Sequence, residues 1–216
     1  MVAADYIKRP CGLYFLGYWT REQKAGVLAA CRTINATTIA KTTFRSPTLL
    51  FLTKGLGDAH TNKYSITFNM SDIRNSEAFD STALHELSHL IDMRNGLISN
   101  QSTWLKTAGW TCTSSDVWKC THPCQQNSEK AFYCNYKDFE VLPSRYNTPE
   151  YDPRQADVSI NPMEDFAESS RYFFQANDEL SKTSVNRCMF LKNLYFEGQE
   201  NNCYDCNSLT KCQNSF

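Results

Sequence analysis

The sequence predicts an α+β domain that is stapled by disulfide bonds, and three observations support this fold class. Two short segments rich in β-branched and aromatic residues, 48–53 and 64–68, are typical of strands. Between residues 80 and 91, apolar side chains recur three and four positions apart, as they do on one face of a helix. The ten cysteines are an even, high number, which indicates a disulfide framework.

The boundaries of the first elements have local signals. Residues 54–58 connect the two strands and contain two glycines, which predicts a turn or loop. We expect the first helix to begin near Asp80 or Ser81. Gly96 follows the last apolar position of its pattern and is a stop signal for that helix.

A second helix is predicted after a loop that carries four prolines, residues 143–162. It begins at Asn161-Pro162, because asparagine is a good N-cap and proline is favoured at the first helical position. A third helix is predicted over residues 184–196.

Composition limits the possible functions. The chain has 216 residues, of which 41% are hydrophobic and 21% charged, a balance typical of a globular protein. The net charge of -1 gives no reason to expect nucleic acid as a partner, and no run of 18 apolar residues predicts a membrane span. We expect a monomer with one domain over 1–216, a cysteine-rich insert at about 110–135 and a cysteine-rich tail at about 198–216.

The cysteines also predict the location, because disulfides persist in oxidising compartments. We therefore expect a secreted, extracellular or periplasmic protein. No apolar signal-peptide core stands at the N-terminus, so we expect a mature form from which such a segment has been removed.

The motif His85-Glu86-Leu87-Ser88-His89 carries the strongest chemical signal. On a helix, His85 and His89 lie one turn apart on the same face, where two imidazoles can bind one zinc ion. Glu86 then lies beside the open coordination position and can take a proton from water. Random placement of the same residues would produce this motif about 0.004 times per chain, so chance is a poor explanation.

A hydrolytic zinc site needs a third protein ligand. The HExxHxxGxxH arrangement is excluded, because Asp92 and Asn95 stand where it has glycine and histidine. The two other histidines are His60, in a predicted loop, and His122, in the cysteine-rich insert. A carboxylate is therefore the better candidate.

The second predicted helix supplies two such carboxylates. Glu164 and Glu168 are four residues apart and share one face of the helix. One of them can bind the metal while the other accepts a hydrogen bond from a ligating histidine.

Two motifs resemble a known group of enzymes. Residues 85–92 are similar to the HExxHxxD element of gluzincin metallopeptidases, and residues 164–168 are similar to the E-x-F-A-E element of the anthrax lethal factor and Pro-Pro endopeptidase group. The resemblance implies a zincin-like domain with a small mixed sheet, an active-site helix and a second zinc-ligand helix. It implies that the zinc ligands are His85, His89 and Glu164.

The same resemblance implies roles for three further residues. Glu86 would be the general base, Glu168 an outer partner of a ligating histidine, and Asp92 a structural residue near the end of the helix. That group usually has a tyrosine about seven residues before the ligand glutamate, but this chain has Asp157 there. The candidates that could stabilise the oxyanion instead are Tyr151, Tyr146 and His122.

These observations predict a secreted zinc-dependent metalloendopeptidase that hydrolyses peptide or protein substrates. We expect strand 64–68 to form the sheet edge beside the active-site helix, where an extended peptide could add as a further strand. Two alternatives remain open at this stage. One is a bacterial cell-wall peptide hydrolase, and the other is a binding or toxin-like module that keeps the scaffold without turnover.

Overall fold

The computed structural model describes residues 11–54, 59–69, 76–108 and 162–197. Within them the chain forms two compact units. The first contains the described residues up to Gly96 together with Tyr195–Glu197, and the second contains those from Leu97 to Leu194.

Some predictions fall outside the described residues. They are those for the cysteine-rich insert, the tail, the proline-rich loop and the three oxyanion candidates. The single-domain organisation stays a prediction.

The described residues of the first unit up to Gly96 form a small mixed sheet and three helices. Their order is β1 (Leu13–Leu16), α1 (Arg21–Asn35), α2 (Ala40–Thr43), β2 (Thr48–Thr53), β3 (His60–Thr61), β4 (Ser65–Asn69) and α3 (Ser76–Arg94). The strand order is β1-β2-β4-β3, in which β2 is parallel to both β1 and β4, and β3 is antiparallel to β4. This confirms the α+β class and the predicted strand 48–53, and it places the second predicted strand one residue later.

The predicted position of residues 64–68 at the sheet edge is wrong, because β3 pairs with β4 and lies at that edge. The reason is a tight turn at Asn62. Its Oδ1 accepts hydrogen bonds from the backbone amides of Tyr64 (2.8 Å) and Ser65 (3.0 Å). Such an Asx turn reverses the chain and brings the preceding residues back alongside β4.

Helix α1 was not expected from the sequence, although its N-terminus has a complete capping box. The Thr20 hydroxyl accepts from the Gln23 amide (3.2 Å), and the Gln23 side chain accepts from the Thr20 amide (2.8 Å). The helix packs on α3, and a disulfide between Cys11 and Cys31 joins it to the residues before β1. A disulfide is therefore present, as predicted.

Helix α3 begins at Ser76, four or five residues before the predicted start at Asp80 or Ser81, and ends at Arg94. Gly96 follows with φ +82°, a left-handed conformation that glycine adopts without steric cost. The predicted stop signal is confirmed.

The second unit is helical in its described part. It contains a 3-10 turn (Ile98–Asn100), α4 (Ser102–Ala108), α5 (Pro162–Gln175), α6 (Asn177–Thr183) and α7 (Val185–Phe196) except for its last two residues, which belong to the first unit. The fully buried Trp104 packs edge-on against Phe166 (5.2 Å between ring centroids) and against Phe190 (5.1 Å). The second and third predicted helices correspond to α5 and α7, whereas α4 and α6 were not predicted.

Among the helices of the described ranges, none combines the length and the apolar character that crossing a membrane requires.

Candidate metal centre

Helix α3 orients its two histidines through the burial of its apolar side chains. Leu84, Leu87, Leu90 and Ile91 are at most 1% exposed and fix the rotation of the helix about its own axis. With this rotation, His85 is half-buried and His89 is 5% exposed.

The two imidazoles meet edge to face. Their Nε2 atoms are 3.0 Å apart, and the ring planes are inclined at 82°. Two nitrogens bound to one tetrahedral zinc ion at ordinary bond lengths would be about 3.3 Å apart. The spacing of the pair therefore fits a shared metal ion with little adjustment.

Glu164 completes a group of three ligand residues. One donor atom each from His85, His89 and Glu164 lies within 4.8 Å of the other two. Two imidazole nitrogens and one carboxylate oxygen form a donor set that zinc accepts in hydrolytic sites. These three residues could hold a metal ion, and they are the three that the resemblance implies as ligands.

Glu86 follows His85 on α3 and is 4% exposed. The hydroxyl of Thr61, in strand β3, lies 2.6 Å from Glu86 Oε2 and 3.3 Å from the Glu86 carbonyl oxygen. The shorter contact to the carboxylate is the stronger one, because hydrogen bonds to charged acceptors are short. Sequence reasoning missed Thr61, which lies 25 residues before Glu86 in a two-residue strand with no periodic pattern.

Arg94 anchors the C-terminal end of α3. Its guanidinium donates four hydrogen bonds of 2.9–3.0 Å to backbone carbonyls, which belong to Thr43, Ser46, Pro47 and Lys63. Asp92, two residues earlier, is fully buried. The structural role that the resemblance implies for it stays a prediction.

Glu168 lies one turn after Glu164 on α5 and is 3% exposed. Both of its carboxylate oxygens accept hydrogen bonds from Arg171, which is also buried. Burial alone would lower the pKa of the Arg171 guanidinium, but the hydrogen bonds and charge of Glu168 outweigh it and raise that pKa. The implied contact of Glu168 with a ligating histidine stays a prediction.

His60 is separate from this group of ligands. It lies in β3, where its side chain is exposed and its Cα is paired with that of Thr67. A carboxylate, and not a further histidine, joins the histidine pair within the part of the chain that the structure describes.

Comparisons with known proteins do not identify a family. The chain shows no significant match to any family model, any curated protein or any solved structure.

Proposed function

We propose that this chain is a secreted zinc-dependent metalloendopeptidase of the gluzincin type with a zincin-like fold. One observation carries the proposal: donor atoms of His85, His89 and Glu164 lie close enough together to share a metal ion. Glu86, an acidic residue, follows His85 directly on α3. A structural zinc site is normally closed by four protein ligands, whereas a catalytic site has three and an open position. The described part of the chain brings together three donors, with Glu86 following the first of them, and this arrangement favours catalysis.

The three ligands and Glu86 would have separate roles in the reaction. A zinc ion held by the three ligands would act as a Lewis acid toward water and the substrate carbonyl. Glu86 would accept a proton from the attacking water on a carboxylate oxygen and transfer it to the leaving amine nitrogen. Its near-complete burial would limit competition from bulk water for that proton.

The experiment combines elemental analysis with cleavage-site profiling on a peptide library. After incubation with zinc, the protein should contain about one equivalent of zinc per chain and should cut internal peptide bonds. Glu86→Gln should keep the zinc and lose cleavage by about 100- to 10,000-fold, the usual contribution of a general base. Glu22→Gln, on the exposed side of α1, is the matched control and should cut normally.

Each result has a definite meaning. Unchanged cleavage by Glu86→Gln would show that Glu86 is not the base. Cleavage of purified cell-wall peptides without cleavage of the library would favour a cell-wall hydrolase. A folded, zinc-loaded protein that cuts neither would overturn the enzymatic proposal and favour a non-catalytic module.

A further inference from the structure

Thr61 contacts Glu86, the proposed general base, but has no role in the reaction as proposed above. It lies in edge strand β3, and its hydroxyl donates to Glu86 Oε2 at 2.6 Å. In the described part of the chain, this is the one side-chain hydrogen bond that the Glu86 carboxylate accepts. The contact joins the edge of the sheet to the helix that carries both histidines.

This hydrogen bond has two physical consequences. It restricts the side-chain torsions of Glu86 before substrate binds. Without it, the long Glu86 side chain would lose its rotamer freedom only on binding substrate and water, and that loss would oppose the reaction. The hydrogen bond also engages Oε2, whereas Oε1 accepts no side-chain hydrogen bond in the described part of the chain, so we assign Oε1 as the oxygen that accepts the proton from water. A general base must be within hydrogen-bond reach of the proton that it removes, so a fixed carboxylate increases the fraction of productive encounters.

We propose that Thr61 is a positioning residue that orients the general base, an inference that rests on the proposed peptidase function. The hydroxyl touches Glu86 and is not assigned a contact with substrate or metal. A purely structural role for Thr61 would instead affect the pairing of β3 with β4. The backbone supplies that pairing, and it does not require a hydroxyl group.

The test compares Thr61→Val with Thr61→Ser. Valine keeps the β-branched shape and removes the donor, whereas serine keeps the donor. We expect kcat for a cleaved library peptide to fall about 10- to 100-fold in Thr61→Val, with KM and zinc content changed less than about twofold. Thr61→Ser should recover kcat to within about threefold of the wild type. Thr53→Val, an exposed threonine of β2, is the matched control and should leave kcat unchanged.

A second measurement does not depend on activity or metal. In the metal-free protein, Thr61→Val should lower the urea midpoint of unfolding in the wild-type background and have little effect in a Glu86→Ala background. Additive shifts would overturn the contact, and a wild-type kcat in Thr61→Val would overturn the positioning role. Loss of cleavage in Glu86→Gln alongside normal kcat in Thr61→Val would leave the proposed function intact. Normal cleavage in Glu86→Gln would remove both.

Discussion

Asp165 and Arg187 form an ion pair in which both side chains are fully buried, with 3.0 Å between Arg187 Nη2 and Asp165 Oδ2. The guanidinium also donates to Asp165 Oδ1, to Ser184 Oγ and to the Ala108 carbonyl oxygen. A buried ion pair is tolerated only when further hydrogen bonds satisfy the remaining polar groups, and this one meets that condition. It holds α5, which carries Glu164, to α7 and to the end of α4.

The first prediction concerns this pair. Asp165→Ala should lower the free energy of unfolding by about 3–5 kcal/mol, because it leaves the Arg187 charge buried without a counter-charge. Urea denaturation of the metal-free protein measures the change. A loss of metal binding in this variant would follow from lost folding rather than from a lost ligand.

Two variants serve as controls for that prediction. Replacing both partners by apolar residues, Asp165→Leu with Arg187→Met, should recover most of the lost stability, since no uncompensated charge remains. Asp178→Ala, at a half-buried position of α6, should cost less than about 1 kcal/mol. A similarly small loss in Asp165→Ala would contradict the structural role of the pair.

The second prediction concerns the third ligand. Glu164→Gln removes a charged oxygen donor and should weaken zinc binding by at least about 100-fold, which competition with a chromophoric chelator measures. Stability of the metal-free protein should change by less than about 0.5 kcal/mol, because Glu164 is only half-buried. The matched control is Glu179→Gln, an exposed residue of α6. Equal zinc affinities in both variants would exclude Glu164 as a ligand.

The parts of the site that the sequence predicted are those with a local geometric rule. His85 and His89 share a helix face because they are four residues apart, and the helix itself follows from its apolar period. The contact of Thr61 with Glu86 obeys no such rule, since it depends on how a two-residue strand is placed by the turn at Asn62.

Parts of the fold were also not predicted, because they lack a strong local sequence pattern. Helix α1 was missed because its buried face is built partly from Ala30 and Cys31, which give a weaker apolar period than leucines do. Strand β1 is only four residues long, too short for alternation to stand out. The edge position was wrong for a related reason, because strand order is set by tertiary pairing and not by local pattern.

The third prediction concerns the disulfide between Cys11 and Cys31, which closes a loop with a sequence separation of 20. Constraint of the unfolded chain by a loop of this length contributes about 3 kcal/mol. The variant Cys11→Ala with Cys31→Ala should lose about that much stability in urea. If it unfolds at the wild-type midpoint, the cross-link does not stabilise the first unit.

The fourth prediction concerns Arg94. Arg94→Ala removes four charge-assisted hydrogen bonds from a half-buried side chain and should cost about 2–3 kcal/mol of stability. Arg94→Lys should recover less than half of this, because an ammonium group cannot match the planar fork that reaches these carbonyls. Full recovery of stability in Arg94→Lys would indicate that these carbonyls require a positive charge and not the planar geometry of the guanidinium.

The last prediction concerns pH. Burial raises the pKa of the Tyr172 phenol, and the nearby Arg171 guanidinium opposes this without cancelling it. Folding therefore favours the neutral phenol. The resulting stability is fully present below the unfolded pKa of about 10 and is lost as pH rises through the higher folded value. Denaturation from pH 8 to 11.5 should show a steeper loss in the wild type than in Tyr172→Phe, which has no phenol to ionise. Parallel pH curves would mean that this phenol ionises equally easily in both states.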